Sequence, residues 1–291
     1  MKIGVSSYSL SKFIRQEGND LFAAIRKAAE MGFEGIEFTD LRGLPGGEDE
    51  LAYARRVREA CKAAGLPIVC YTVGADFLNP RAGEPWESEV ERVKDEVRLA
   101  AELGAPCMRH DATRGFPEGH QGPCDFAAAL PTLAQACRAV TEFAAGLGIR
   151  TTVENHGFFV QDSERCEMLA KEVGHDNFGA LVDMGNFLCA DDDPVSAVRR
   201  MAPYAFHCHA KDFHVKPAGA ADPGRGWFRS RGGAFLRGAI IGHGNVDVPA
   251  CLRALQDAGY DGFGSIEFEG LEDCLLGLEI GLENLRRYLG G

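Results

Sequence analysis

Four side chains able to ligate a cation sit where short apolar runs give way to polar or glycine-rich sequence. They are Glu154 in TTVENHG, Asp183 in ALVDMGNF, His209 in FHCHAKDFH and Glu267 in GSIEFEG. Three carboxylates and an imidazole suit Mn2+, Mg2+ or Co2+, which take oxygen and nitrogen donors in octahedral coordination. A structural zinc site would instead favour thiolates in a closed tetrahedron. Four protein groups on an octahedral ion leave about two positions open. Two neighbouring oxygens of a sugar, an enediolate or a hydroxyketone would fill them, with the ion acting as a Lewis acid on the carbonyl. Each residue alone has an ordinary alternative: a glutamate paired with Lys or Arg, an aspartate capping a loop, a hydrogen-bonded core histidine. Their recurrence at the ends of four separate apolar runs favours one metal site.

Those runs belong to a regular alternation. Strand-like segments fall at residues 2–8, 35–38, 67–71, 106–111, 150–154, 178–183, 205–209 and 262–267. Helical patterns lie between them at 20–31, 49–64, 86–103, 125–147, 163–173, 194–201 and 248–258, and a last one follows at 273–289. In AAEMGFEG, CKAAGLPI, AELGAPC, AAGLGIR and LQDAGYDG a glycine stands just after a helix and directly before a strand, the place of a left-handed cap. Eight such alternations in 291 residues predict a single (β/α)8 barrel spanning 1–291 rather than a doubly wound sheet. No GxGxxG follows the first strand, which argues against a dinucleotide fold. In a barrel the strands' C-terminal rim carries the chemistry, and all four candidate ligands fall there. Two long connections leave the same rim, 74–85 and 213–246. Both are read as loops without regular structure, candidates for lids or binding loops.

Composition narrows the function classes. Hydrophobic residues make up 45% and charged residues 25%, as in an ordinary globular protein. No stretch approaches the roughly 20 apolar residues of a membrane span. The opening MKIGVSSYSL has no secretory apolar region, so a cytoplasmic protein is expected. A net charge of −12 argues against nucleic acid as a partner. The ten cysteines form no CxxC pair and mostly sit in apolar patterns, which predicts reduced, buried thiols. Arg225, Arg229, Arg231 and Arg237 gather in GRGWFRSRGGAFLRG, either as a solvated loop or subunit contact or as an anion or substrate site.

Position also nominates substrate contacts. His156 and Lys211 follow Glu154 and His209 by two residues, so each shares a strand face with a ligand if the strand continues. The alternative for Lys211 is an ion pair with Asp212. Glu37, Arg109, His110 and Tyr8 end or follow other strands and are rim candidates.

The segments VENHG, LVDMGNF, HCHAKDF, IGHGNVDVPACLRALQDAGYDG and SIEFEG resemble the sugar isomerase/epimerase superfamily with a xylose isomerase-like TIM barrel. Its members include ketose 3-epimerases and inosose isomerases and dehydratases, and the resemblance spans nearly the whole chain. It implies Glu154, Asp183, His209 and Glu267 as ligands of one divalent ion, Mn2+ first, with Mg2+, Co2+ or Zn2+ as alternatives. It further implies that Glu154 and Glu267 transfer protons on opposite sides of a substrate carbon through a metal-stabilised enediolate. The expected activity is therefore isomerisation or epimerisation of a sugar, keto-sugar or cyclitol. The resemblance also implies a homo-oligomer, a dimer or tetramer. Two positions depart from the pattern. Asn186 stands where ketose 3-epimerases carry a substrate-holding histidine, and His243 stands where many relatives have an acidic or amide residue. Both are carried forward as substrate-binding candidates.

A lyase is the competing enzyme class, because the same enediolate can expel a β-leaving group; His156, His243 or His110 would then serve as acid. A DNA-repair endonuclease on this barrel would need three metals and more ligands than the chain offers. A non-catalytic sugar-binding or assembly protein would tolerate glutamine at 154 and 267.

Overall fold

In the computed structural model, which describes residues 1–41, 49–81 and 84–290, the eight apolar runs become eight parallel strands. They are β1 (Lys2–Ser6), β2 (Gly35–Thr39), β3 (Ile68–Val73), β4 (Cys107–His110), β5 (Arg150–Glu154), β6 (Phe178–Asp183), β7 (Ala205–Ala210) and, after three further strands, β11 (Phe263–Ile266). Their pairing order, β1-β11-β7-β6-β5-β4-β3-β2, closes on itself into a barrel. The fold expected from the alternation is the fold observed.

The helices are α1 (Ser11–Ile14), α2 (Leu21–Met31), α3 (Glu50–Ala63), α4 (Trp86–Leu103), α5 (Phe126–Ala145), α6 (Ser163–Val173), α7 (Pro194–Met201), α8 (Val248–Asp257) and α9 (Cys274–Tyr288). Asp20, Asp49, Asp125, Asp162, Asp193, Asp247 and Asp273 each start one of them by accepting a first-turn N–H, which satisfies a donor the helix itself leaves unpaired. The glycines expected after helices, Gly32, Gly65, Gly104, Gly148 and Gly259, all have positive φ, between 67° and 86°. There a Cβ would be strained, so the chain turns from helix to strand without cost. On α4 the buried Val90, Val93, Val97 and Ala100 form a stripe at helical spacing. Each buried valine contributes about 1.5–3 kcal/mol of burial energy. Among the described residues no helix is long and apolar enough to cross a membrane.

Strand pleat decides which side chains enter the barrel. Tyr71 of β3 points outward and donates to Glu96 of α4 at 3.0 Å, and Thr151 of β5 meets Thr141 of α5 at 2.7 Å. Their neighbours Thr72, Thr152 and Glu154 therefore belong to the inner face.

Two expectations are corrected. The first strand stops at Ser6, not residue 8: Ser6 Oγ accepts the Tyr8 N–H at 3.3 Å and starts a 3-10 turn over Ser7–Leu10. The connection 213–246 is not irregular. It contains β8 (Asp212–Lys216), β9 (Phe228–Arg229) and β10 (Phe235–Ala239), a three-stranded antiparallel sheet in the order β8-β10-β9. Phe213 and Leu236, both fully buried, and Cys189 give this sheet a small apolar core of its own. In the other long connection, residues 82–83 lie outside the described residues. Its first part is tied to the barrel through Phe77 N–H on Ala112 C=O and Thr113 Oγ1 on Asp76 Oδ1.

Candidate metal centre

β5, β6, β7 and β11 lie side by side in the barrel, so the four candidate ligands converge at one point of its rim. Glu154, Asp183, His209 and Glu267 each offer an atom within 4.8 Å of the others. His209 Nδ1 is the hub, 3.5 Å from Asp183 Oδ2, 3.5 Å from Glu267 Oε2 and 3.6 Å from Glu154 Oε1.

The other nitrogen of His209 fixes its role. Nε2 donates to Glu37, at 2.9 Å from Oε1 and 3.0 Å from Oε2. His207, one layer deeper, donates its Nε2–H to the same carboxylate at 2.8 Å and lies 3.1 Å from Ser265 Oγ. Burial alone would raise the Glu37 pKa, but His209 and His207 outweigh it and hold the group well below the usual carboxylate range. With Nε2 donating to an anionic Glu37, Nδ1 is the ring nitrogen that faces three carboxylates. His209 Nδ1 is buried and makes no hydrogen bond, while Asp183 Oδ2 has the Lys211 ammonium 3.2 Å away. Leaving a buried polar atom unsatisfied costs about 1–3 kcal/mol, and a cation at Nδ1 removes that cost. The donor set and the unbonded His209 Nδ1 fit a divalent ion.

Each carboxylate has one side held by protein. Asp183 Oδ1 accepts the N–H groups of Gly185 and Asn186, both at 2.8 Å, at the start of the 3-10 turn Asn186–Ala190. Asn155 extends the β5–β6 pairing by exchanging two hydrogen bonds with the Asp183 main chain, each 2.9 Å. Glu154 Oε2 meets Arg109 at 2.6 Å, and its Oε1 accepts Asn186 Nδ2–H at 2.9 Å. Glu267 Oε2 meets Lys211 at 2.5 Å. Burial opposes ionisation of both glutamates, but Arg109 beside Glu154, and Lys211 and His209 beside Glu267, pull them below the ordinary range.

A cavity of about 220 Å³ opens onto this cluster, walled by Tyr8, Thr39, Thr72, Arg109, Glu154, His156, His209, Lys211, Glu267 and Glu269. A larger groove of about 680 Å³ passes Asp162, Asp191 and Arg231, but neither candidate ligand group among the described residues lies there.

The sequence of this chain matches the xylose isomerase-like TIM barrel family over residues 25–288. The chain belongs to that family. A human protein named "Putative hydroxypyruvate isomerase" is 24% identical over 286 residues, covering 90% of this chain and 88% of its own length. Among solved structures, the IOLI protein with a bound zinc atom superposes with a TM-score of 0.75 at 15% identity, covering 99% of this chain and 98% of its own. D-psicose 3-epimerase in the presence of D-fructose gives a TM-score of 0.72 at 17% identity, with both chains covered completely at 100%. At such identities these structures report the fold.

The substrate-binding candidates divide. His156 and Lys211 line the cavity. His156 is half-exposed and its Nδ1 meets Asp111 Oδ1 at 3.0 Å. Lys211 does not pair with Asp212, whose carboxylate instead accepts main-chain N–H groups from Phe213, Gly242, Gly244 and Val246 at 2.8–3.0 Å. Glu37 is fully buried beneath His209, where it orients the imidazole rather than touching the cavity. His110 faces outward because the pleat turns its neighbour Arg109 inward. It is fully buried against Phe77, and burial pushes its pKa down to about 4. Asn186 lies buried behind the cavity wall, and His243 is exposed on the loop before α8, away from it.

Arg109 and Tyr8, nominated by position, do line the cavity. Asp111 and Glu269 went unnoticed. Arg109 Nη2 lies 3.0 Å from Asp111, and Glu269 is a wall residue. A signal existed: they follow Arg109 and Glu267 by two residues, the period of a strand face. Nine of the ten cysteines are buried, Cys124 is exposed, and all are free, in line with the reduced thiols expected.

Proposed function

We propose that this protein is a divalent-metal-dependent isomerase or epimerase acting on a small sugar, keto-sugar or cyclitol. The observation that carries the reading is His209 Nδ1, facing three carboxylates at 3.5–3.6 Å beside an open cavity. Glu154, Asp183, His209 and Glu267 would hold the ion, Mn2+ first given the oxygen-rich set. When bound, the ion supplies Lewis-acid polarisation of the substrate carbonyl, which lowers the cost of removing the adjacent proton.

The chain's own groups provide the rest. Glu154 and Glu267 are held as anions by Arg109 and Lys211, so one of them accepts the proton from the carbon next to the carbonyl. The electron pair moves onto the carbonyl oxygen, giving an enediolate. A proton returned to the opposite face of the same carbon inverts it. Return to the neighbouring carbon, with the hydroxyl proton passed to the former carbonyl oxygen, exchanges aldose and ketose. The named activities of D-psicose 3-epimerase and the human relative belong to this proton-transfer chemistry.

A lyase is the second reading, and one observation favours it. His156 has Nδ1 held by Asp111 and a half-exposed ring on the cavity wall, and in this reading it would act as the acid for a leaving group. Incubating the Mn2+-loaded protein in deuterated water with ketohexoses, ketopentoses and hydroxypyruvate separates the two. Isomerisation predicts deuterium on carbon in an otherwise intact product. Release of water or an aglycone contradicts it and favours the lyase.

A further inference from the structure

Glu154 ends β5 and Glu267 follows β11, strands separated in the barrel by β6 and β7, so no direct strand pairing sets their mutual placement. Besides their shared approach to His209, a line of polar contacts joins them. Arg109 meets Glu154 at 2.6 Å; Glu154 Oε1 accepts Asn186 Nδ2–H at 2.9 Å; Asn186 Oδ1 accepts from Lys211 Nζ at 3.1 Å; and Lys211 meets Glu267 at 2.5 Å. Asn186 is the link in the middle, and it needs both amide functions there, a donor toward Glu154 and an acceptor toward Lys211.

Its main chain is fixed as firmly as its side chain. The Asn186 N–H donates to Asp183 Oδ1 at 2.8 Å, and its carbonyl accepts from Gln161 Nε2 at 2.9 Å. The residue is buried and is not part of the cavity wall. Lys211, for its part, has three oxygens within 3.2 Å, those of Glu267, Asn186 and Asp183, against the three N–H groups of an ammonium. Its charge is committed to protein partners.

We propose that Asn186 is a positioning residue that ties the two glutamates together through Lys211, so that removal and return of the substrate proton stay coupled. This rests on the proton-transfer reading above. Without the link, one glutamate still removes a proton while the other is misplaced for its return. Misplacement of a reacting group by about 1 Å can cost about 100-fold in rate.

The test compares wild type with Asn186→Ala and with Asn186→Asp, which keeps the shape and the acceptor but loses the donor toward Glu154. Crystals of the Mn2+-loaded proteins come first. The proposal expects the Glu154 carboxylate or the Lys211 ammonium to leave its wild-type position in both variants; unchanged positions overturn it, whether or not a substrate is known. With the ketose that wild type turns over fastest, deuterium wash-in to recovered substrate is then measured against product formation. Product formation should fall about 100-fold while wash-in falls much less, so their ratio rises. Because Glu154 is itself a candidate ligand, Mn2+ affinity should fall, but by less than the 10–100-fold typical of lost ligand support. A parallel fall of wash-in and turnover, or a matching loss of Mn2+ affinity, makes Asn186 merely structural. Wild type inert to every probe counts against the proton-transfer reading instead, and the crystal comparison still decides the link.

Discussion

His209 has two ring nitrogens with different obligations, and that difference organises the site. Glu37 accepts the hydrogen bond from Nε2 and leaves Nδ1 to face Glu154, Asp183 and Glu267. Partners of this kind, one bond behind a ligand, typically contribute 10–100-fold to metal affinity. Glu37→Gln removes the anion from beneath both His207 and His209, so Mn2+ affinity by calorimetry should drop about 10–100-fold with the fold retained. Unchanged affinity would refute the role assigned to Glu37. The four candidate ligands were legible as a group in the sequence because each ends an apolar run. The role of Glu37 was not, because chain position places a residue on a rim without giving its depth in the barrel. Arg109 and His110 show the same limit: they are adjacent, both looked like rim residues, and only the pleat assigns one to the cavity and the other to the helix layer.

Among the elements, the antiparallel sheet β8-β10-β9 hid behind its glycines and arginines. The stretch PAGAADPGRG reads as loop, and the residues of β10 (FLRGA), with an arginine and a glycine among them, are too mixed to signal a strand. Asp212 anchors the end of that insertion by accepting four main-chain N–H groups, two of them at the glycines of IGHG. Replacing it with alanine strands buried donors, each worth about 1–3 kcal/mol if left unsatisfied. Asp212→Ala should therefore lose at least about 2 kcal/mol in denaturant unfolding. A loss below about 0.5 kcal/mol, the usual range of surface changes, would show that the loop after β10 does not depend on this carboxylate. Helices were easier to read than this sheet. Their aspartate starts, apolar stripes and glycine ends are local signals, whereas pairing between β8, β9 and β10 is not.

For the whole molecule, the barrel follows from the repeated helix–glycine–strand unit, and closure brings β5, β6, β7 and β11 together at one rim. A site made from four strands is legible as a set only once that closure is assumed; until then each residue reads as an ordinary ion pair, cap or core histidine. The central claim is that this rim holds one divalent ion with positions open to the cavity. Crystals grown with Mn2+ and measured for anomalous scattering test it most directly. One strong peak per chain is expected, in contact with His209 Nδ1 and with oxygens of Glu154, Asp183 and Glu267. No peak at that point, or an ion held by Glu37 and His207 instead, would contradict it.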